Sequence, residues 1–295
     1  MNMSLGLRLF FALSFGLLFN CCTQSKEVTP SQPSGLFHAE LPSYVSFSGE
    51  NVPLQINHIK ERFDREVLVN TFWHSNSILL FKRAEKYFPI IEPILRKNGI
   101  PDDFKYLAVI ESGLINVTSP VGAEGFWQFM APTAREYGLE VNANVDERLH
   151  IIKSTQSASD YLNDAYRIFG NWTLAAAAYN AGIQRIKSSL EKQKVTSYYD
   201  LFLNEETSRY IYRIVAIKTI FETPRRYGFS VEKTQYYKQP LTRLVHVNTP
   251  ILDLVEFAKA HAMTYGDLRV LNPWLKGYSL ANRTRKDYEV AVLVK

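Results

Sequence analysis

Cysteine is nearly absent from this chain: 295 residues hold two, Cys21 and Cys22, and none follows. A folded body without cysteine has no thiol nucleophile, no cysteine zinc site and no disulfide, so it stands on its hydrophobic core alone. Histidine is scarce as well. The six histidines (38, 58, 74, 150, 246 and 261) show no metal-ligand spacing, and no glycine-rich phosphate loop is present. No metal and no other cofactor is expected. Lysine and arginine exceed acids by 34 to 29 but are scattered, with no block like a basic arm, which argues against a nucleic-acid partner. No internal repeat is visible, and a monomer is expected.

The N-terminus sets the compartment. Arg8 precedes the apolar run 9–19, which is too short to span a bilayer well but long enough for the core of a signal peptide. Cys21 and Cys22 follow directly. A cysteine at that place resembles a bacterial lipoprotein signal, with Leu18 three residues before Cys21; the plainer alternative is a cleaved signal without lipid. The expectation is a signal peptide over 1–20, lipidation at Cys21, and a flexible tether over 21–50, where residues 23–35 are rich in Thr, Gln, Ser, Lys, Pro and Gly. That gives a cell-envelope lipoprotein facing the periplasm, on the outer membrane, held through its anchor.

Helical signals begin near Val52. Residues 68–80 and 81–95 carry apolar side chains at helical spacing, with Pro89 and Pro93 expected to break the second segment. Asn98-Gly99-Ile100-Pro101 reads as a stop followed by a start. Further helices are predicted from Pro132, over 154–169, over 172–181 up to Gly182, and from Glu206 to about Phe221. Past residue 236 the pattern changes: a strand at 244–247, helices at 251–262 and 264–271, and a closing strand at 288–294. The fold class is mainly α with a small β-α-α-β module. The divisions are an N-terminal helical extension over 51–98, a catalytic domain over 99–235 and the module over 236–295.

Glu111 is the residue that asks for chemistry. Phe104, Leu107, Ala108 and Glu111 fall at i, i+3, i+4 and i+7, so a carboxyl shares the inward face of a helix, just before a loop rich in glycine, serine and proline. Desolvation there raises a carboxyl pKa toward neutrality, as a general acid requires. The bland alternative is an acid that pairs with a buried arginine or caps a neighbouring helix. Gln128, polar within Phe126-Trp127-Gln128-Phe129, needs a partner if buried, and a ligand is one candidate. Tyr179 and Asn180 end a helix, where they either face a groove or serve packing and capping. Ser189-Leu190-Glu191-Lys192 and Ser230-Val231-Glu232-Lys233 match Ser-x-x-Lys, but without companion motifs they are chance matches.

Taken in order, Glu111-Ser112, the run from Ser119-Pro120-Val121-Gly122 to Phe126-Trp127-Gln128-Phe129-Met130, Ala178-Tyr179-Asn180-Ala181-Gly182, and Glu206-Thr207 with Tyr210 resemble the soluble lytic transglycosylase domain. Tyr137-Gly138-Leu139, Val145-Asp146-Glu147-Arg148 and Lys153-Ser154-Thr155 are most similar to its membrane-bound lytic murein transglycosylase D branch. The resemblance spans about residues 50 to 225 and implies a lysozyme-like helical fold with a peptidoglycan groove. It further implies non-hydrolytic cleavage of the β-1,4 bond between N-acetylmuramic acid and N-acetylglucosamine, with Glu111 as sole acid and base and a 1,6-anhydromuramoyl product. Ser112, Ser119, Gln128, Tyr179, Asn180 and Tyr210 are the substrate-binding residues it implies. Two features depart from the pattern: the spacing from Glu111 to Ser119 is one residue short, and Ala131-Pro132 is exchanged in order. The tail resembles LysM through Leu271-Asn272-Pro273 and its element order, without the usual turn signatures, so glycan binding and simple packing against the rest both stay open. A hydrolytic muramidase and a non-catalytic wall-binding lipoprotein are the competing readings.

Overall fold

A computed structural model describes residues 39–294, so the expected signal peptide over 1–20 and the expected lipidation site at Cys21 lie outside the described residues. Two short strands, β1 (Ser46–Phe47) and β2 (Glu50–Asn51), form a hairpin ahead of α1 (Asn57–Phe72) and α2 (His74–Lys97). A 3-10 turn over Asp102–Phe104 leads into α3 (Lys105–Ser112), and α4 (Ala131–Glu136) follows a long loop. The helical part is completed by α5 (Ile151–Phe169), α6 (Trp172–Ala181), α7 (Ile183–Gln193) and α8 (Glu205–Glu222). Then come β3 (Thr242–Val247), α9 (Leu254–Ala260), α10 (Tyr265–Leu271) and β4 (Tyr288–Leu293). Strands β3 and β4 pair antiparallel, from Thr242 opposite Leu293 to Val247 opposite Tyr288. The expected mainly helical fold with a β-α-α-β tail is the one observed. Among the described residues no helix is long and apolar enough to cross a membrane.

One apolar core unites α1 to α8 and the hairpin. Phe47, Ile59, Phe63, Leu107, Ile211, Val215 and Ile220 are all fully buried in it. The four consecutive alanines 175–178 are also buried, and their small side chains let α5, α6 and α8 approach closely. Ala39, Val45 and Phe47 belong to this core, so residues 39–50 are part of the folded body and not of a tether. A second core lies in the tail and is built from Leu254, Leu268, Trp274, Leu275, Val290 and Val292.

Three sequence expectations change, the first being the boundary between the helices predicted over 68–80 and 81–95: α1 gives way to α2 at Trp73. Helix α2 does not break at Pro89 or Pro93 but runs through both. The prolines are four apart and both exposed, so the carbonyls they leave without an N–H donor, on Glu85 and Pro89, face water. Ile91 and Leu95 on the opposite side are fully buried and hold the helix in place. The hairpin was not foreseen, and it has a structural task. Glu50 accepts hydrogen bonds from the backbone N–H groups of Trp172 (2.6 Å) and Thr173 (2.8 Å) and from the Thr173 hydroxyl (2.6 Å). Asn171 caps the same helix start through Leu174 N–H at 2.8 Å. A carboxylate on two orphan donors at a helix N-terminus is favoured by the dipole as well as by the bonds. Glu50→Ala is therefore expected to lower stability by about 1–2 kcal/mol, read as a shifted urea midpoint.

Candidate active site

Helix α3 begins after Pro101 with Asp102 and Asp103 in its lead-in turn and ends at Gly113, whose φ of 62° closes the helix in the left-handed region. Its inward stripe is buried, and Glu111 emerges at the last turn, half-buried. Two arginines occupy the carbonyls at this helix end. Arg213 donates to Ile110 O at 3.0 Å and Arg83 to Gly113 O at 3.0 Å. The Tyr210 hydroxyl, on α8, donates directly to Glu111 Oε1.

Burial pushes the Glu111 carboxyl up from 4.5 to about 7. The Tyr210 hydrogen bond and the Arg213 charge oppose that rise without cancelling it, and the nearby Glu206 adds to it. Near neutral pH this acid holds its proton for much of the time and releases it readily, which suits a group that gives and takes a proton in turn. Tyr210 and Tyr179 are themselves driven well above the usual phenol range, first by burial and then by the charge of Glu111, so both are neutral donors.

The side chains singled out in the sequence divide into two sets. Glu111, Tyr179, Tyr210 and Asn180 form one neighbourhood. Tyr179 donates to Trp127 O at 2.7 Å, Asn180 donates to Glu206 at 3.1 Å, and Thr207 donates to the Asn180 amide oxygen at 2.8 Å. Ser112, Ser119 and Gln128 hold the loop over residues 113–130. Ser112 Oγ lies within hydrogen-bond distance of Ala108 O (3.1 Å) and Phe126 O (3.0 Å), and Ser119 Oγ accepts from Ala123 N–H at 2.9 Å. Gln128, with φ of 50°, donates its amide to Val117 O (3.0 Å) and Gly125 O (2.8 Å). Partners for Gln128 are therefore found within its own loop.

Sequence reasoning missed Arg213, Arg83 and Arg148. Arg213 had a signal: it lies three residues beyond Tyr210 and so shares its helix face. Arg83 had none, since its target is the Gly113 carbonyl 30 residues on, and Arg148 stood in the quoted run Val145-Asp146-Glu147-Arg148 without a role, because its carbonyl targets lie 19 and 26 residues away.

A half-buried acid at a helix end, under a loop and beside a tyrosine from a distant helix, can hold a proton near neutral pH and exchange it. Residues 88–202 match the model of the transglycosylase SLT domain, and residues 243–293 match that of the soluble lytic transglycosylase C-terminal LysM-like domain. It is 28% identical over 244 residues to membrane-bound lytic murein transglycosylase D of Escherichia coli K12, covering 80% of this chain and 52% of that relative. The protein of the same name from Escherichia coli O6:H1 gives the same values. The chain spans about half the length of the curated relatives it matches. A solved structure of the 70 kDa soluble lytic transglycosylase of Escherichia coli aligns with a TM-score of 0.40 and 23% identity, over 52% of this chain and 27% of that one.

Proposed function

We propose that this chain is a peptidoglycan lytic transglycosylase with Glu111 as its catalytic acid and base. The neutral carboxyl protonates the oxygen that bridges N-acetylmuramic acid to N-acetylglucosamine, and the bond from that oxygen to the muramoyl anomeric carbon breaks. The muramoyl 6-hydroxyl then bonds to that carbon, and its proton passes to the Glu111 carboxylate. The acid is regenerated, a 1,6-anhydro ring is formed, and no water is consumed. An internal nucleophile held by the sugar ring replaces the second carboxylate that ordinary glycosidases need.

The observation that carries this reading is the half-buried Glu111 carboxyl, drawn up to about 7 by desolvation while its Oε1 accepts from Tyr210. Tyr210 steadies the carboxylate when the proton is away. Tyr179 and Asn180 line the groove beside it; Ser112, Ser119 and Gln128 shape the loop that faces the glycan, with the Gln128 amide oxygen left for substrate. The relatives named membrane-bound lytic murein transglycosylase D support the substrate and an envelope location; lipid anchoring at Cys21 on the outer membrane rests on the sequence signal at 9–22.

Glu206 supports a second reading. It is close enough to disfavour charge on Glu111, and a second carboxylate at that place could activate water for hydrolysis. Its Oε1, however, is engaged by Asn180. Mass spectrometry of muropeptides from digested peptidoglycan separates the two. Transglycosylation is expected to yield ends one water lighter than reducing ends, whereas reducing ends alone would mean hydrolysis.

A further inference from the structure

We infer that Arg148 is a positioning residue that fixes the active-site loop, and that the C-terminal module braces it from behind; this rests on the function proposed above. Arg148 is buried and meets the loop at three points. Its Nη1 donates to Gly122 O at 2.9 Å and to Phe129 O at 3.1 Å, which ties the two ends of the segment 122–129 together. Its own carbonyl lies against Gly125, so close that a Cβ there would sit 2.1 Å from the oxygen. Between those points the loop turns Phe126 O toward Ser112, the neighbour of Glu111, and Trp127 O toward Tyr179. The carbonyls that frame the proposed acid therefore take their places from one guanidinium.

The guanidinium is held in turn. Nε and Nη2 grip the buried Asp146 carboxylate at 2.9 and 2.7 Å in a two-pronged pair. Asp146 belongs to a strap, residues 140–149, whose other side is pinned by the module. Asp146 N–H donates to Trp274 O at 2.9 Å, Lys276 N–H donates to Asn144 O at 2.7 Å, and Val145 is fully buried in the module's own core. Lys286 reaches both Glu140 (2.7 Å) and Glu147 (3.0 Å), and the Tyr288 hydroxyl donates to Glu140. The mechanical path runs from β4 through the strap and Arg148 to the loop. Lysine in place of Arg148 keeps the charge for Asp146 but cannot hold two carbonyls and a bidentate carboxylate together.

Arg148→Lys, Lys286→Met and Ile59→Ala, each made in the whole 295-residue chain, are to be compared with the unaltered chain for turnover of a defined glycan and for amide hydrogen exchange. Arg148→Lys is expected to lower kcat by roughly 10–100-fold, as a small misplacement of a site does. KM should rise by a smaller factor than kcat falls, because the loop carbonyls that frame the acid are displaced more than the substrate contacts are lost. Amides of 122–129 should exchange faster. Lys286→Met should move the same amides and kcat in the same direction by a smaller factor, and it decides alone if Arg148→Lys does not fold. Ile59→Ala, in the helical core but outside the loop and the strap, should lower Tm and leave kcat and those amides as they were. Unaltered kcat and loop exchange in folded Arg148→Lys, or an equal fall in kcat in Ile59→Ala, would overturn the inference. If the unaltered chain yields no anhydro product, the proposed function fails, and the exchange data still decide whether the module braces the loop.

Discussion

Replacing Glu111 by glutamine is expected to lower anhydro-muropeptide release by about 10²–10⁴-fold, the usual loss when a general acid is removed. The local structure should survive, because Tyr210 can donate to the amide oxygen as it does to Glu111 Oε1. The same substitution should raise stability above neutral pH. The native carboxyl titrates near 7 against 4.5 when solvated, so between these values the folded state holds more protons than the unfolded one. Stability thus falls as pH rises from 4.5 through 7 and then levels off. Glutamine removes that cost, a gain of up to roughly 3 kcal/mol at pH 8 and none below pH 4.5. Partial exposure of Glu111 trims this figure without changing its sign. Urea midpoints at the two pH values, read beside activity, test both halves. A variant that keeps turnover, or gains nothing between acid and alkaline pH, would show that Glu111 is an ordinary structural acid.

Gly125→Ala is the second large effect. Gly125 has φ of 80°, and a Cβ there would meet Arg148 O at 2.1 Å and Arg148 C at 2.9 Å, both backbone atoms that cannot rotate aside. Strain and overpacking together put the cost at about 2–5 kcal/mol. Gly138 supplies the comparison, since its φ is 81° but nothing lies within 4 Å of its added Cβ. Gly138→Ala carries backbone strain alone and should cost only about 1–2 kcal/mol. Equal urea midpoints for the two variants would mean that the loop does not rest on Arg148. Where Gly125→Ala folds, its activity should be low, because Gly125 O is a partner of Gln128 and the turn around it shapes the site.

Much of this arrangement was legible in the residues. The stripe of Phe104, Leu107, Ala108 and Glu111 follows from helical periodicity alone and places the acid at an inward helix end. Helix α6 was bounded correctly because Gly182 stops it and the alanine run propagates it; the cap at Asn171 is seen only in the structure. Tyr210 stands 99 residues from Glu111, so the resemblance pointed to it where local pattern could not. The prolines of α2 misled because a proline penalty assumes that the freed carbonyl is dry, and here it faces water. The hairpin went unseen because two-residue strands leave no alternation to read. The burial of Val145 in the module's core, and the reach of Arg148 to two carbonyls, depend on tertiary placement that no local spacing encodes.

The most direct measurement is the titration of the Glu111 carboxyl in the folded chain, by carbon-13 NMR of labelled glutamate with Glu111→Gln to assign the signal. A midpoint near 7 is expected, set by burial against the pull of Tyr210 and Arg213. A midpoint at 4.5 or below would leave the side chain ionised at neutral pH with no proton to give, and would contradict the proposed acid.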